Sequence, residues 1–371
     1  MSPLNVNPLK VLCVFSTLLG NGAATKRLSE TLERIPGIEA RFERITVDDY
    51  RQYPAPWWTR LSNPWHGQYI AKAKAGAQLH APTDLLIVNT WEYAVLFQEF
   101  ARRVPSAVML DSVPATVNEQ LRRRGHNGVR RNLSHFVHHR SFKRAVGKFK
   151  YFLPTGSDCA DALANSYGVS RDRCFVVLAP QDTGLWRPAI HAPACHSPFR
   201  LLFVGNDFYR KGGAFLLEMF STALAGHCTL TIASNDPSLV KQSFPPGVTW
   251  LRGKSPKDLL AIYQESDLFV FPTRQDYMPQ VLGEALATGL PAIATNVGGI
   301  RDLVRKGETG ILMPYNATVR DWAKRILELI DSNERLMQLR AGARAFSERM
   351  LSEERFQDGL QAALHRLVME R

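Results

Sequence analysis

Short apolar runs alternate along this chain with stretches whose apolar residues recur every three or four positions. The runs read as buried strands: Lys10–Ser16, Ala40–Ile45, Leu85–Asn89, Ala107–Asp111, Lys150–Pro154 and Phe175–Leu178, then Arg200–Val204, Leu230–Ala233, Val248–Leu251, Leu268–Phe271 and Pro291–Thr295. Helical spacing falls between them, for example at Ala24–Arg34, Ala214–Ala223, Pro256–Gln264 and Val319–Asp331, and it closes the chain at Ala341–Met350 and Glu353–Glu370. Strand, helix, strand in repetition predicts α/β architecture, with parallel sheets covered by helices on both faces. The pattern lapses between Pro180 and Pro198, where prolines also stand at 188 and 193. That break predicts two doubly wound Rossmann-like domains, 1–180 and 199–351, with 181–198 as linker and a C-terminal helix over 352–371 packing back on the first domain. Two such domains are expected to face one another across a cleft at the carboxyl ends of their strands.

The 371 residues suit two cores, and 45% hydrophobic with 22% charged residues is a globular balance. No run approaches the roughly 20 apolar residues of a membrane span. The apolar stretch near the start follows Asn5 and Asn7 and is too short for a signal peptide, so a buried first strand is expected. Five scattered cysteines, none in a C-x-x-C spacing, predict reduced thiols and a cytoplasmic setting rather than disulfides or zinc.

Charge changes the picture more than composition does. Between Gln120 and Lys150 stand ten Lys or Arg and no Asp or Glu, against a formal net charge of +12 for the whole chain. The basic character therefore belongs to one segment. Arg122, Arg123, Arg124, Arg130, Arg131, Arg140, Lys143 and Arg144 mark it, with Leu133, Phe136, Val137, Phe142 and Val146 interspersed. Three readings stay open for it: a solvated helix face, a nucleic-acid patch, or a surface for an anionic membrane or anionic acceptor. The first would normally include acids. The second lacks any accompanying zinc, helix-turn-helix or RNA-recognition signature, so nucleic acid is not expected. Cations mixed with apolar residues are the composition of an interfacial helix, and Pro56-Trp57-Trp58-Thr59-Arg60 and Trp65 add interfacial aromatics.

The densest chemistry lies in DLFVFPTRQDYMPQVLGEALATGLPAIATNVGGIRD, residues 267–302. A strand ends in Pro272-Thr273, a loop carries Asp276, and a helix is expected from Pro279, where a missing N–H is harmless. The amides of Gln280, Val281 and Leu282 would then point at a phosphate from the positive end of the helix. Carboxylates beside a phosphate repel it unless they meet neutral groups, and sugar hydroxyls are such groups. Asp276 as a turn cap and Glu284 as a solvent-facing carboxylate is the competing reading, weakened by Gly283 and Ala285, which predict tight packing around Glu284.

This segment resembles the C-terminal signature of retaining glycosyltransferases of the GT-B fold, glycosyltransferase family 4. The likeness extends through LLFVGNDFYRKGG (201–213), VTWLRG (248–253), SDLFVFPT (266–273) and GETGILMP (307–314). The resemblance implies transfer of a hexose-type sugar from a nucleotide-diphosphate donor to a hydroxyl of a glycan or lipid-linked acceptor, in cell-surface polysaccharide, lipopolysaccharide or glycolipid synthesis, without metal or other cofactor. Glu284 is then expected on the donor ribose, Asp276 on the transferred sugar, and Lys211 on the diphosphate. Gly205, Asn206, Arg210, Arg252, Tyr277, Met278, Val281 and Leu282 complete the implied donor site. No Asp-x-Asp occurs in the chain, in keeping with a metal-independent site. Two departures stand out: Asp276 replaces the family's Glu in a loop without the usual glycines, and Asn206 replaces an Arg after Gly205. An epimerase or hydrolase on the same fold and a non-catalytic basic binding protein remain as rivals.

In the first domain Gly20-Asn21-Gly22 follows the first strand and opens a helix, which lets a backbone approach donor phosphate or acceptor. Asp111 ends a strand and is the candidate to orient the acceptor hydroxyl or take its proton, beside a plain turn-capping role of equal weight. Asn89, Trp91 and Glu92, after the preceding strand, are expected on the acceptor side.

Overall fold

The computed structural model describes residues 8–17, 21–53, 63–76, 78–125, 128–190 and 195–369. The chain forms two compact units, one of Met1–Leu178 with Phe356–Arg371 and one of Ala179–Arg355.

The first unit is built on five parallel strands: β1 (Leu9–Ser16), β2 (Ile38–Ile45), β3 (Leu85–Asn89), β4 (Ser106–Leu110) and β5 (Tyr151–Pro154), in the order β2-β1-β3-β4-β5. β1 shows why its sequence is an unbroken apolar run. Leu12 and Val14 point to one face, into a core with Trp91, Phe97, Phe142 and Phe152. Val11, Cys13 and Phe15 point to the other, where they meet Leu28, Leu32, Phe356, Leu360 and Leu367. A strand covered by helices on both sides has no polar face to show. The expected strand at Phe175–Leu178 is absent. That segment runs beside β5, the Phe175 and Val177 amides donating to the Phe152 and Pro154 carbonyls at 2.9 Å each, without forming a further strand.

The second unit holds six parallel strands: β6 (Phe199–Val204), β7 (Cys228–Ala233), β8 (Val248–Leu251), β9 (Leu268–Phe271), β10 (Ala292–Thr295) and β11 (Gly310–Met313), ordered β11-β10-β9-β6-β7-β8. The order reverses between β6 and β9. At such a switch point the loops leaving neighbouring strands diverge and leave a crevice. β11 was not expected; its apolar triplet is brief, and Gly310 is required because a Cβ there would strike the Ala292 backbone.

The described residues of the proline-rich segment, 181–190 and 195–198, belong to the second unit. Trp186 is buried edge-on against Tyr263, ring centroids 5.6 Å apart, and its carbonyl accepts from Arg344 at 3.0 Å. The segment ends at a buried ion cluster. Asp267, fully buried before β9, accepts from Arg340 at 2.6 Å and from the Arg200 amide at 2.9 Å, and its other near neighbour is His196 Nδ1 at 2.9 Å.

Candidate active site

The loops that leave β6 and β9 meet at the switch point of the second sheet. Glycines set how closely. Gly212 adopts φ +84° and lies against the Pro272 carbonyl, while the space over Gly205 is filled by the aliphatic stem of Lys211. A side chain at Gly212 would push the loops apart, and one at Gly205 would displace the Lys211 stem. The Lys211 stem therefore lies flat, and its ammonium sits 2.8 Å from Asp276 Oδ2 and 5.0 Å from the centroid of the Phe271 ring. Arg210 reinforces the pair: its guanidinium lies 3.8 Å from the same Asp276 oxygen, donates to the Gln275 carbonyl, and bonds Asp207 at 2.6 Å. Lys211 and Asp276, read from the sequence as holding different parts of a ligand, are partners of one another.

The glycine pair after β10 fixes the other side of the Asp276 loop. Gly298, at φ +57°, abuts the Asp276 carbonyl, and the Gly299 amide donates to the Tyr277 carbonyl at 2.7 Å. The Tyr277 amide in turn donates to Asp276 Oδ1 at 3.1 Å. Hydrogen bonds rather than glycine freedom hold this loop, which is how it does without the glycines of the resembling family. Tyr277 and Met278 are half-buried beside it.

The helix after this loop spans Gln280–Ala287, with Pro279 as its N-cap at φ −71°, one residue later than expected. One expected donor is lost by this. The Leu282 amide turns back to the Pro279 carbonyl at 3.1 Å, so it is occupied within the helix start. Glu284 is half-buried, and its Oε2 accepts from the Tyr263 hydroxyl at 3.0 Å. The same hydroxyl lies 3.2 Å from the Val281 carbonyl. Burial, and then the Glu284 carboxylate, push the Tyr263 phenol well above its ordinary pKa, so it remains a donor that orients the carboxylate. Tight packing beside Glu284 is real: a Cβ on Gly283 would run into Gln181, whose amide donates to Gln280 at 3.1 Å. Tyr263 and Gln181 carried no signal of this role, because nothing in their local sequence links them to residue 284.

Two expected donor residues stand apart. The Asn206 side-chain Oδ1 accepts from the Asn235 backbone amide at 3.0 Å, joining the ends of β6 and β7. Arg252 is exposed beyond edge strand β8, with β7 between it and β6.

In the first unit, Gly22 lies in the first turn of the helix Asn21–Arg34. Gly20 and Pro56–Arg60 lie outside the described residues, as do the side chains of Trp65 and Arg130. Asn89 is buried at the end of β3. Its amide accepts from the Ser16 amide at 2.7 Å and donates to the Ser16 carbonyl at 3.0 Å, closing the crevice between β3 and β1. Trp91 is buried against His138, ring centroids 5.0 Å apart. Between them, Thr90 takes φ +72°, a conformation that a β-branched residue rarely adopts. Thr90 bonds the carboxyl of half-buried Glu92, which desolvation pushes up to about 7, with the charge of Asp111 adding to the rise. Asp111 itself follows β4 and accepts from the Ser112 hydroxyl at 2.8 Å.

The basic segment comprises the helices Pro114–Arg123 and Val129–Val146. Arg131 does not belong to an outward patch, because it donates to the carbonyl and side chain of Asn118 at 3.0 and 2.8 Å. Arg122, Arg123, Arg124, Arg140, Lys143 and Arg144 are exposed. Arg123 pairs with Glu119 just before the segment.

Residues 198–332 match the family described as "Glycosyl transferases group 1". The D-inositol 3-phosphate glycosyltransferase of Rhodococcus jostii is 40% identical over 241 residues, 59% of this chain and 53% of that protein. That of Catenulispora acidiphila is 32% identical over 210 residues, half of each chain. The chain thus spans about half the length of the curated relatives it matches. Among solved structures, sucrose-phosphate synthase from Thermosynechococcus elongatus superposes with a TM-score of 0.77 at 14% identity, covering 98% of this chain and all of that one. Anabaena HepE in complex with UDP-glucose gives 0.68 at 15% identity over 96% of this chain and all of that one. WaaG, a glycosyltransferase involved in lipopolysaccharide biosynthesis, gives 0.67 at 16% over 96% and 98%. The fold is GT-B, two parallel-sheet α/β domains, as expected from the sequence.

Proposed function

We propose that this chain is a retaining glycosyltransferase that moves a hexose-type sugar from a nucleoside-diphosphate donor to a hydroxyl of a glycan or lipid-linked acceptor. The observation that carries the reading is the meeting of Lys211, Arg210 and Asp276 at the switch point of the second sheet, next to a Glu284 oriented by Tyr263. Cations at a departing diphosphate stabilise the charge that develops there, and the Gln280 and Val281 amides add to them. Lys211 and Arg210 can do this without a metal. Glu284, oriented by the Tyr263 phenol, meets the ribose hydroxyls, and Asp276 meets the sugar. A relative that acts on an inositol phosphate and a neighbour solved with UDP-glucose support a nucleotide-sugar donor and a polar acceptor. A neighbour involved in lipopolysaccharide biosynthesis supports a role in cell-surface glycan or glycolipid synthesis. The basic, acid-free segment Gln120–Lys150 supports placing that role at the inner face of the membrane, on its cytoplasmic side.

The test is a thermal-shift panel of nucleoside diphosphates and their sugars, with and without a chelator, because a donor that binds the folded state raises the melting temperature by mass action. At least one uridine or guanosine diphosphate sugar should stabilise the chain equally in chelator. No stabilisation by any of them would refute the donor site, and stabilisation only with divalent metal would refute its metal independence. Product anomeric configuration by NMR then decides retention, and transfer of donor label to an acceptor separates transfer from epimerisation.

A further inference from the structure

The helix Val129–Val146 has two faces of different kinds. Inward lie Phe142, Ala145 and Val146, buried in the core, together with His138 against Trp91 and His139 stacked on Tyr167 at 4.7 Å. Burial holds His135, His138 and His139 below the usual imidazole range, so this face adds little charge near neutral pH. The outward face is apolar where a surface helix should be polar. Val129, Leu133, Phe136 and Val137 are 88, 63, 59 and 39% exposed. At 3.6 residues per turn these four fall within one sector of roughly 120°, and exposed Arg140, Lys143 and Arg144 continue the same sector toward the C-terminal end. Exposed Arg122, Arg123 and Arg124 lie just before the helix, and no acidic residue occurs from Gln120 to Lys150.

We propose that this face, Val129, Leu133, Phe136 and Val137 with Arg140, Lys143 and Arg144, docks the protein on an anionic lipid bilayer. The proposal rests on the membrane-side placement given above and names the surface that achieves it. Four apolar side chains are few for a stable protein interface, which takes roughly 20–30 residues a side. A bilayer demands no matching shape. It requires apolar side chains that reach below the headgroups and long cations that stay at their level, and this face supplies both. The absence of acids over the whole segment suits a surface of uniform negative charge, where each Lys or Arg contributes separately.

Co-sedimentation of the full chain with vesicles of phosphatidylcholine, alone or mixed with phosphatidylglycerol, tests this at low and at physiological salt. The wild type should bind the mixed vesicles and be released in part by salt. The double variants Leu133→Glu/Phe136→Glu and Arg140→Glu/Arg144→Glu should each partition roughly tenfold less or worse. All these positions are exposed, so both should keep the wild-type melting temperature and its response to uridine diphosphate. Wild-type partitioning by either variant, or equal wild-type binding to neutral vesicles, overturns the proposal. So does a concentration-dependent self-association that Leu133→Glu/Phe136→Glu abolishes without any vesicle effect, which would give the face to a second copy. A wild type that binds mixed vesicles but gives no nucleotide response supports the docking face and overturns the donor reading alone.

Discussion

Lys211 and Asp276 lie 65 residues apart in the chain and 2.8 Å apart in space, both largely shielded from water. The carboxylate engages the same cation that the proposed diphosphate would use. On the proposed reading, a bound diphosphate competes with Asp276 for Lys211. Lys211→Ala should weaken uridine diphosphate by about 10- to 100-fold, the range of a lost charge-assisted hydrogen bond. Asp276→Asn should bind the bare diphosphate at least as well as wild type while sugar transfer drops at least about tenfold. Calorimetry and turnover on the two variants check this. Equal weakening of diphosphate binding by both would show that Asp276 does not compete for Lys211.

Tyr263 gives a second contrast. Its hydroxyl orients Glu284 from inside the core, so Tyr263→Phe leaves the carboxylate present but unaimed. Stability should fall by about 1 kcal/mol, and nucleotide affinity several-fold, less than in Glu284→Ala. If Tyr263→Phe alters the melting temperature and leaves affinity untouched, the hydroxyl is a core contact and nothing more.

Glu92 makes stability depend on pH in an unusual direction. Its carboxyl holds a proton to about 7 in the folded chain, against an ordinary value of 4.5. Between those values the folded state binds more protons than the unfolded one, so stability falls as pH rises through that window. Glu92→Gln should melt higher than wild type at about pH 8 and much the same at about pH 5. Asp111→Asn should shift the same window downward by removing a neighbouring negative charge. Parallel melting curves for wild type and Glu92→Gln across the window would rule this out.

At the opposite end of the second sheet, Asp267 is a structural node rather than a ligand group. Asp267→Ala leaves Arg340 without its buried partner and should cost about 3–5 kcal/mol. The second unit's melting temperature should drop by on the order of 10 °C. Because the residue lies before β9 and the Asp276 loop after it, uridine diphosphate affinity well below the melting point should be unchanged.

Much of this was legible in the sequence, and the limits follow from distance along the chain. Strand runs and glycine turns are local, so most sheet elements, the loops carrying Lys211 and Asp276 and the helix carrying Glu284 could be read directly. Partners could not. Asp276 with Lys211, Glu284 with Tyr263 and Gly283 with Gln181 are joined only once the sheet order is known. Nearer backbone partners were equally hidden, such as Ser16 for Asn89, Asn235 for Asn206 and Pro279 for the Leu282 amide. The basic segment shows a different limit. Its apolar residues look alike in a list, but the helix turns Phe142 and Val146 inward and Leu133 and Phe136 outward, and only the burial pattern separates the two sets.

Phe356, Leu360, Ala363, Leu364 and Leu367 belong to the same core as Val11, Phe15 and Leu85, although the whole second unit is encoded between them. During synthesis the first sheet emerges early with one face covered only in part, by Leu28, Leu32 and Ile35. It stays so while about 180 further residues are made, on the order of ten to forty seconds at ribosomal rates. The unit begun first is therefore the one completed last. An exposed apolar sheet face over that interval is a natural target for chaperones, and a chain stopped before Phe356 would carry it permanently.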